Sequence, residues 1–145
     1  MKVYADTSFL VSLYVQDASS GRAQAWLSAH PTALPLTAFA RIELRNAIAQ
    51  LVFRGQLTPQ ESAAAWQLIE ADAAQGRLQP VFVPWTAILA KAEQLTAQHS
   101  ARIGVRTLDI LHVASALQLG ATEFVSFDLR QGDLAKTVAL DWHNP

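Results

Sequence analysis

The sequence predicts a single-domain α/β fold, a three-layer α/β/α arrangement with a central parallel sheet and a helical hairpin. Short apolar runs alternate with longer stretches of helical periodicity along the chain, the pattern of strands joined by helical crossovers. The length, 145 residues, suits one domain spanning residues 1–145. Apolar residues make up 51% and charged residues 16%, against about 25% charged in an ordinary soluble domain. A chain of this size can bury about 68–70% of its unfolded surface, and an acid inside one of its apolar runs needs a reason.

Residues 2–5 (KVYA) read as the first strand, and residues 7–15 (TSFLVSLYV) as a helix apolar nearly all round. Residues 19–30 form a second helix with Ala23, Trp26 and Leu27 on one face, ended by Pro31. Residues 33–37 could be a strand, which Pro35 either weakens or places at an edge. Residues 38–54 carry an apolar stripe and stop at Gly55. Thr58, Pro59 and Glu61 then mark a helix start, running to about Gly76. The two helices make the hairpin. Residues 80–83 are a strand, 85–99 a helix, 107–119 a strongly apolar helix closed by Gly120, and 123–127 a strand. A short helix over 129–136 leads to a last strand near 138–141. Crossovers between parallel strands should be right-handed.

Four acids interrupt this apolar pattern: Asp6, Glu43, Asp109 and Asp128. Asp6 and Asp128 each follow a strand, while Glu43 and Asp109 lie early in helices. All four are therefore expected at the carboxyl edge of the parallel sheet, where such folds build their sites. Each has a plainer role to offer. Asp6 could cap helix 7–15, Asp128 could cap the short helix after it, Asp109 could complement a helix N-terminus, and Glu43 could be solvated. Together, however, they gather negative charge. Two carboxylates about 4 Å apart repel by roughly 4 kcal/mol at an effective dielectric of 20, a large fraction of the ~5–15 kcal/mol stability of a domain. Either some are protonated or a cation neutralises them.

Oxygen donors without cysteine suit Mg²⁺ or Mn²⁺. His30, His99, His112 and His143 are scattered and lack metal-binding spacing. His112, three residues after Asp109, reads as a core histidine. A carboxylate-held Mg²⁺ activates water and steadies charge on a phosphate oxygen, so the reaction class is metal-assisted phosphodiester hydrolysis, by one ion or two. Ser8 and Ser126 lie two residues from Asp6 and Asp128, as supporting hydroxyls or as local helix and loop partners. Asp133 reads as a surface residue.

Composition excludes other classes. With no cysteine there are no disulfides or thiolate sites. Net charge is −1, from 11 Lys+Arg and 12 Asp+Glu, so a strongly basic nucleic-acid binder is not expected. Arginine outnumbers lysine eight to three, and pairs of arginines flank Glu43 and precede Asp109. Arginine suits phosphate contacts, although any one of these reads first as an ordinary surface residue. The acid at position 6 falls too early for a signal peptide, and no apolar run approaches the ~20 residues of a membrane span. The chain reads as soluble and cytoplasmic, with no membrane partner.

Four strings carry a resemblance: YADTSFLVSLY, LTAFARIELRNAI, RTLDILHVASALQLGA and FVSFDLR. Together they resemble a PIN domain, and within that family the VapC-type toxins of bacterial and archaeal toxin–antitoxin pairs. The resemblance covers nearly the whole chain. It implies a parallel sheet flanked by helices and a Mg²⁺- or Mn²⁺-dependent ribonuclease, with Asp6, Glu43, Asp109 and Asp128 as catalytic metal ligands and Ser8 or Ser126 in support. Asp133 could share the role of Asp128. It also implies an RNA substrate (family targets include transfer RNA and ribosomal RNA), products with 5′-phosphate and 3′-hydroxyl ends, a homodimer, and a cognate antitoxin whose tail enters the active-site groove. The hairpin at residues 38–76 resembles the part that grips the antitoxin. Two other readings remain: a non-catalytic RNA- or protein-binding PIN-like module, and a receiver-like or phosphatase-like domain. The latter would want a lysine near a strand end.

Overall fold

Strands and helices alternate as the hydrophobic pattern requires. In chain order they are β1 (Val3–Ala5), α1 (Thr7–Tyr14), α2 (Ser20–Ala29), β2 (Leu34–Thr37), α3 (Ala38–Phe53), α4 (Pro59–Ala74), β3 (Leu78–Val81), α5 (Trp85–Leu95), α6 (Ala101–Ile103), α7 (Thr107–Gln118), β4 (Glu123–Val125), α8 (Leu129–Thr137) and β5 (Asp141–His143). The computed structural model describes residues 2–145. It divides into two compact units, one made of the N-terminal segment through Asp6 with Phe82–Pro145, the other of Thr7–Val81.

The first unit holds a parallel three-stranded sheet in the order β1-β4-β5, with Val3 opposite Glu123 and Glu123 opposite Asp141. Val3, Tyr4, Ala5, Phe124 and Val125 are all buried, as expected of short parallel strands covered on both faces. Helix α7 packs against α5 and α8. Every residue from Asp109 to Ala116 on it is buried, which explains why its sequence is apolar around the whole circumference. His112 is among them, and the Tyr4 hydroxyl lies 2.9 Å from its Nδ1.

The second unit holds a parallel pair, β2 with β3, Leu34 opposite Leu78. Pro35 and Pro80 both sit in it. A strand with one partner needs N–H donors on one side only, so each proline costs the ladder little. The α3–α4 hairpin begins at caps the sequence announces. The Thr37 hydroxyl accepts from the Ala40 N–H, and Thr58 and Glu61 form a reciprocal capping box.

Several boundaries differ from expectation, among them the strand expected at 123–127, which ends at Val125. The strand expected at 80–83 lies at Leu78–Val81, because Leu78 is the buried residue that pairs with Leu34, whereas Phe82 is 91% exposed. The helix expected over 85–99 stops at Leu95, widens into a π-turn over Thr96–Ser100, and closes at Gly104 with φ 72°. That turn takes up one residue more than the α-helical spacing allows. The last strand lies at Asp141–His143 rather than 138–141. Ala139 takes a left-handed φ of 65°, and the Leu140 N–H donates to the Ala135 carbonyl to finish α8, so the chain is still closing a helix where a strand was expected.

Gly132 on α8 has no room for a side chain. A Cβ there would meet Trp142 ring carbons at 2.1–2.4 Å. Gly132→Ala is expected to destabilise the protein by about 1–3 kcal/mol through overpacking, read as a lower urea midpoint at unchanged slope. In the capping box, the Thr58 N–H donates to Glu61 Oε2 at 2.7 Å. This bonding from the Thr58 backbone holds the Glu61 carboxyl below its ordinary 4.5. A lowered folded value means that its stabilisation is complete above pH 4.5 and is lost as pH falls through the lowered value. Glu61→Gln should flatten that acid limb in a pH series of thermal melts.

Candidate active site

The carboxyl ends of β1 and β4 are neighbours in one sheet, so the residues just after them meet. Asp6 follows β1 directly and its N–H donates to the Val125 carbonyl at the end of β4 at 3.1 Å. Its side chain is fully buried. The Ser126 hydroxyl, also fully buried, donates to Asp6 Oδ2 at 2.8 Å and accepts from the Asp128 N–H at 2.9 Å. Ser126 is itself fixed from β5, since its N–H donates to the His143 carbonyl and its carbonyl accepts from Trp142 Nε1, each at 3.1 Å.

Asp128 is the N-cap of α8, accepting from the Gln131 N–H at 2.9 Å. The cap reading is therefore correct for Asp128. Asp109 is in the first turn of α7 and only 4% exposed. It accepts from the Arg106 N–H at 3.3 Å and Nε at 3.0 Å, and from Gln131 Nε2 at 3.1 Å. The Arg106 guanidinium also lies 3.6 Å from Asp128 Oδ2. Ser126 thus joins Asp6 to Asp128, and Gln131 and Arg106 join Asp128 to Asp109.

The mutual repulsion of these acids is met by donors placed between them. Arg106 is two-thirds exposed, so as a surface ion pair it stabilises little. Its effect is to neutralise charge on Asp109 and Asp128. Among the described residues no group of three or more His, Cys, Asp or Glu side chains stands in metal-holding geometry. The donor set is nonetheless one a hard cation would choose. It consists of carboxylates, the Ser126 hydroxyl and the Gln131 amide oxygen, which is buried without a hydrogen-bond partner.

Glu43 belongs to the other unit, in the second turn of α3, where Oε2 accepts from the Thr7 hydroxyl at 2.8 Å. Ser8 lies beside Thr7 in the first turn of α1 and is half-buried. Asp133 is exposed and paired with Lys136 at 3.2 Å. Lys2 is engaged with Glu123 and Lys91 with Gln94, which leaves the receiver-like reading without its lysine near these acids.

Two residues of this arrangement, Thr7 and Gln131, escaped the sequence reading. Thr7 stands directly after Asp6. Arg106 stood out as one of the arginines preceding Asp109, though as a surface residue suited to phosphate rather than as the partner of that acid. Gln131 lies three residues after Asp128, and Asp-x-x-Gln is a helix-start signature. The signature would have drawn attention to Gln131 but would have aimed its side chain back at the cap, whereas it reaches Asp109.

The family model for the PIN domain matches residues 3–137. The chain is a member of the PIN domain family. Among solved structures it resembles VapC20 of Mycobacterium tuberculosis, described as a sarcin-ricin loop cleaving toxin, with 19% identity, 94% of this chain and 95% of that chain covered, and a TM-score of 0.67. It also resembles FitAcB from Neisseria gonorrhoeae (20% identity, 99% and 97% covered, TM-score 0.63). VapBC2 from Rickettsia felis, bound to a DNA fragment from its promoter, is similar too (12% identity, 99% and 98% covered, TM-score 0.67). No curated relative matches the sequence. At these identities the likeness is one of fold. Among the described residues no helix is long and apolar enough to cross a membrane.

Ser126→Ala removes the hydroxyl bonded to buried Asp6 and the acceptor of the Asp128 N–H. The expected cost is about 2–3 kcal/mol, measured as the change in urea unfolding free energy.

Proposed function

We propose that the chain is a VapC-type endoribonuclease toxin that hydrolyses RNA phosphodiester bonds with Mg²⁺ or Mn²⁺ and is silenced by a cognate antitoxin. The observation that carries this reading is the chain of bonds joining Asp6, Ser126, Asp128, Gln131 and Asp109 beyond β1 and β4. The two units are read as one nuclease domain, in keeping with a family match that runs through both of them.

Asp6, Asp109 and Asp128 would hold the cation, with Glu43 as the fourth acid, steadied by Thr7, the residue that follows Asp6 in the chain. When bound, the cation would lower the pKa of water and stabilise charge on the phosphate. The protein's own groups do the rest. Ser126 fixes the plane of the Asp6 carboxylate, and Gln131 and Arg106 fix that of Asp109. The exposed guanidinium of Arg106 is placed to take an RNA phosphate oxygen beside the acids. Hydrolysis then leaves 5′-phosphate and 3′-hydroxyl ends.

The antitoxin is assigned to the α3–α4 hairpin, which exposes Ile42 (69%), Phe53 (89%) and Leu68 (57%). Apolar side chains left in water at this level fit an interface. The working form is a cytoplasmic homodimer, and transfer or ribosomal RNA is the substrate class. One observation favours the runner-up, a non-catalytic RNA- or protein-binding module: Arg106 already neutralises Asp109 and Asp128.

Asp6→Asn separates the two readings. The variant keeps the size and shape of a fully buried side chain but removes its charge. Cleavage of total RNA in Mg²⁺ or Mn²⁺ should fall by at least 10²-fold while circular dichroism is unchanged, and EDTA should abolish wild-type cleavage. Equal cleavage by wild type and Asp6→Asn, or cleavage indifferent to EDTA, refutes the nuclease assignment of these acids.

A further inference from the structure

Gln131 is tied to two of the acids yet leaves one of its own atoms unused. Its N–H caps onto Asp128 Oδ1 at 2.9 Å and its side-chain Nε2 donates to Asp109 Oδ1 at 3.1 Å. The residue is 5% exposed. Its Oε1 is buried and has no hydrogen-bond partner.

The orientation of this amide is not arbitrary. An ionised carboxylate only accepts hydrogen bonds. The NH₂ group must therefore face Asp109, and flipping the amide would set oxygen against oxygen. With Nε2 so placed, Oε1 is buried and no protein donor meets it. A buried carbonyl oxygen in that condition is costly and calls for an explanation. Oε1 is fixed by covalent geometry beside Nε2, and hence beside the Asp109 carboxylate. A hard divalent cation accepts amide carbonyl oxygens alongside carboxylates. Arg106 already meets the charge of Asp109 and Asp128 but does not reach Oε1, so a cation there would satisfy the one polar atom that the protein leaves unmet.

We infer that Gln131 is an additional oxygen donor of the cation site, holding Asp109 with its amide nitrogen and presenting Oε1 to the cation or to a water on it. This rests on the metal-dependent reading above and adds to it a neutral residue outside the acid set. A purely structural Gln131 would need only the nitrogen. The oxygen is what distinguishes the two roles.

The test measures Mn²⁺ binding to the full chain by isothermal titration calorimetry, together with the Mn²⁺-dependent rise in thermal midpoint. It uses wild type, Gln131→Met and Gln131→Glu. Methionine fills similar volume without an oxygen. Glutamate lacks the donor to Asp109 but supplies an oxygen. Gln131→Met should bind Mn²⁺ about 10-fold or more weakly, the effect expected when a supporting residue of a metal site is lost. Gln131→Glu should bind at least as tightly as wild type, with a lower midpoint in EDTA and a larger rise on adding Mn²⁺. Should Gln131→Met bind within twofold of wild type, or Gln131→Glu weaken binding as much as methionine does, the inference fails while the metal site stands. Should wild type bind no Mn²⁺, the metal reading falls and this inference with it.

Discussion

Ser126 has a partner for each of its polar atoms, and the order of the site follows from that. Its backbone N–H and carbonyl are held by β5, and its hydroxyl lies between Asp6 and the Asp128 N–H. With both roles of the buried hydroxyl filled, no polar atom of the residue is left unsatisfied. The same oxygen fixes where α8 begins, because Asp128 is the cap of that helix. With α8 placed, Gln131 reaches Asp109, and with Asp109 placed, Arg106 closes over it. Each acid is met by a donor: Asp6 by the Ser126 hydroxyl, Asp128 by the Gln131 N–H, and Asp109 by Arg106 and the Gln131 amide.

The packing around β5 serves this arrangement. Trp142 reaches the Ser126 carbonyl only because Gly132 lets its ring lie against α8. Lys136 sits over the same ring, 4.8 Å from its centroid. A glycine inside a helix weakens it by roughly 0.5–1 kcal/mol relative to alanine. That cost is offset where the missing Cβ admits an indole. Site and core are thus connected through one aromatic contact, which is why a packing substitution at Gly132 should be felt at the acids.

Much of this was legible in the sequence. The α/β class, the hairpin and the caps at Thr58 and Asp128 follow from periodicity and from local chemistry that does not depend on tertiary context. Asp6, Asp109 and Asp128 stood out because charge inside an apolar run is expensive wherever the chain goes. The residues that were missed are those whose role depends on a partner distant in sequence. Gln131 looks like an ordinary polar helix residue until α7 is beside it, and Thr7 looks like a helix start until α3 is. The strand boundaries at 78–81 and 141–143 moved for a similar reason. Burial of Leu78 against Leu34 set the one, and a left-handed alanine completing a helix set the other. Neither is visible in a hydropathy pattern.

The indole of Trp142 has one further implication. Its ring nitrogen is bonded to the carbonyl of the same serine whose hydroxyl holds Asp6. The chain has three other tryptophans, Trp26, Trp66 and Trp85, and replacing these with phenylalanine would leave a single fluorophore wired to the acids. Were the acids to hold a cation, the indole emission would report that binding in real time, with no label attached and no RNA present.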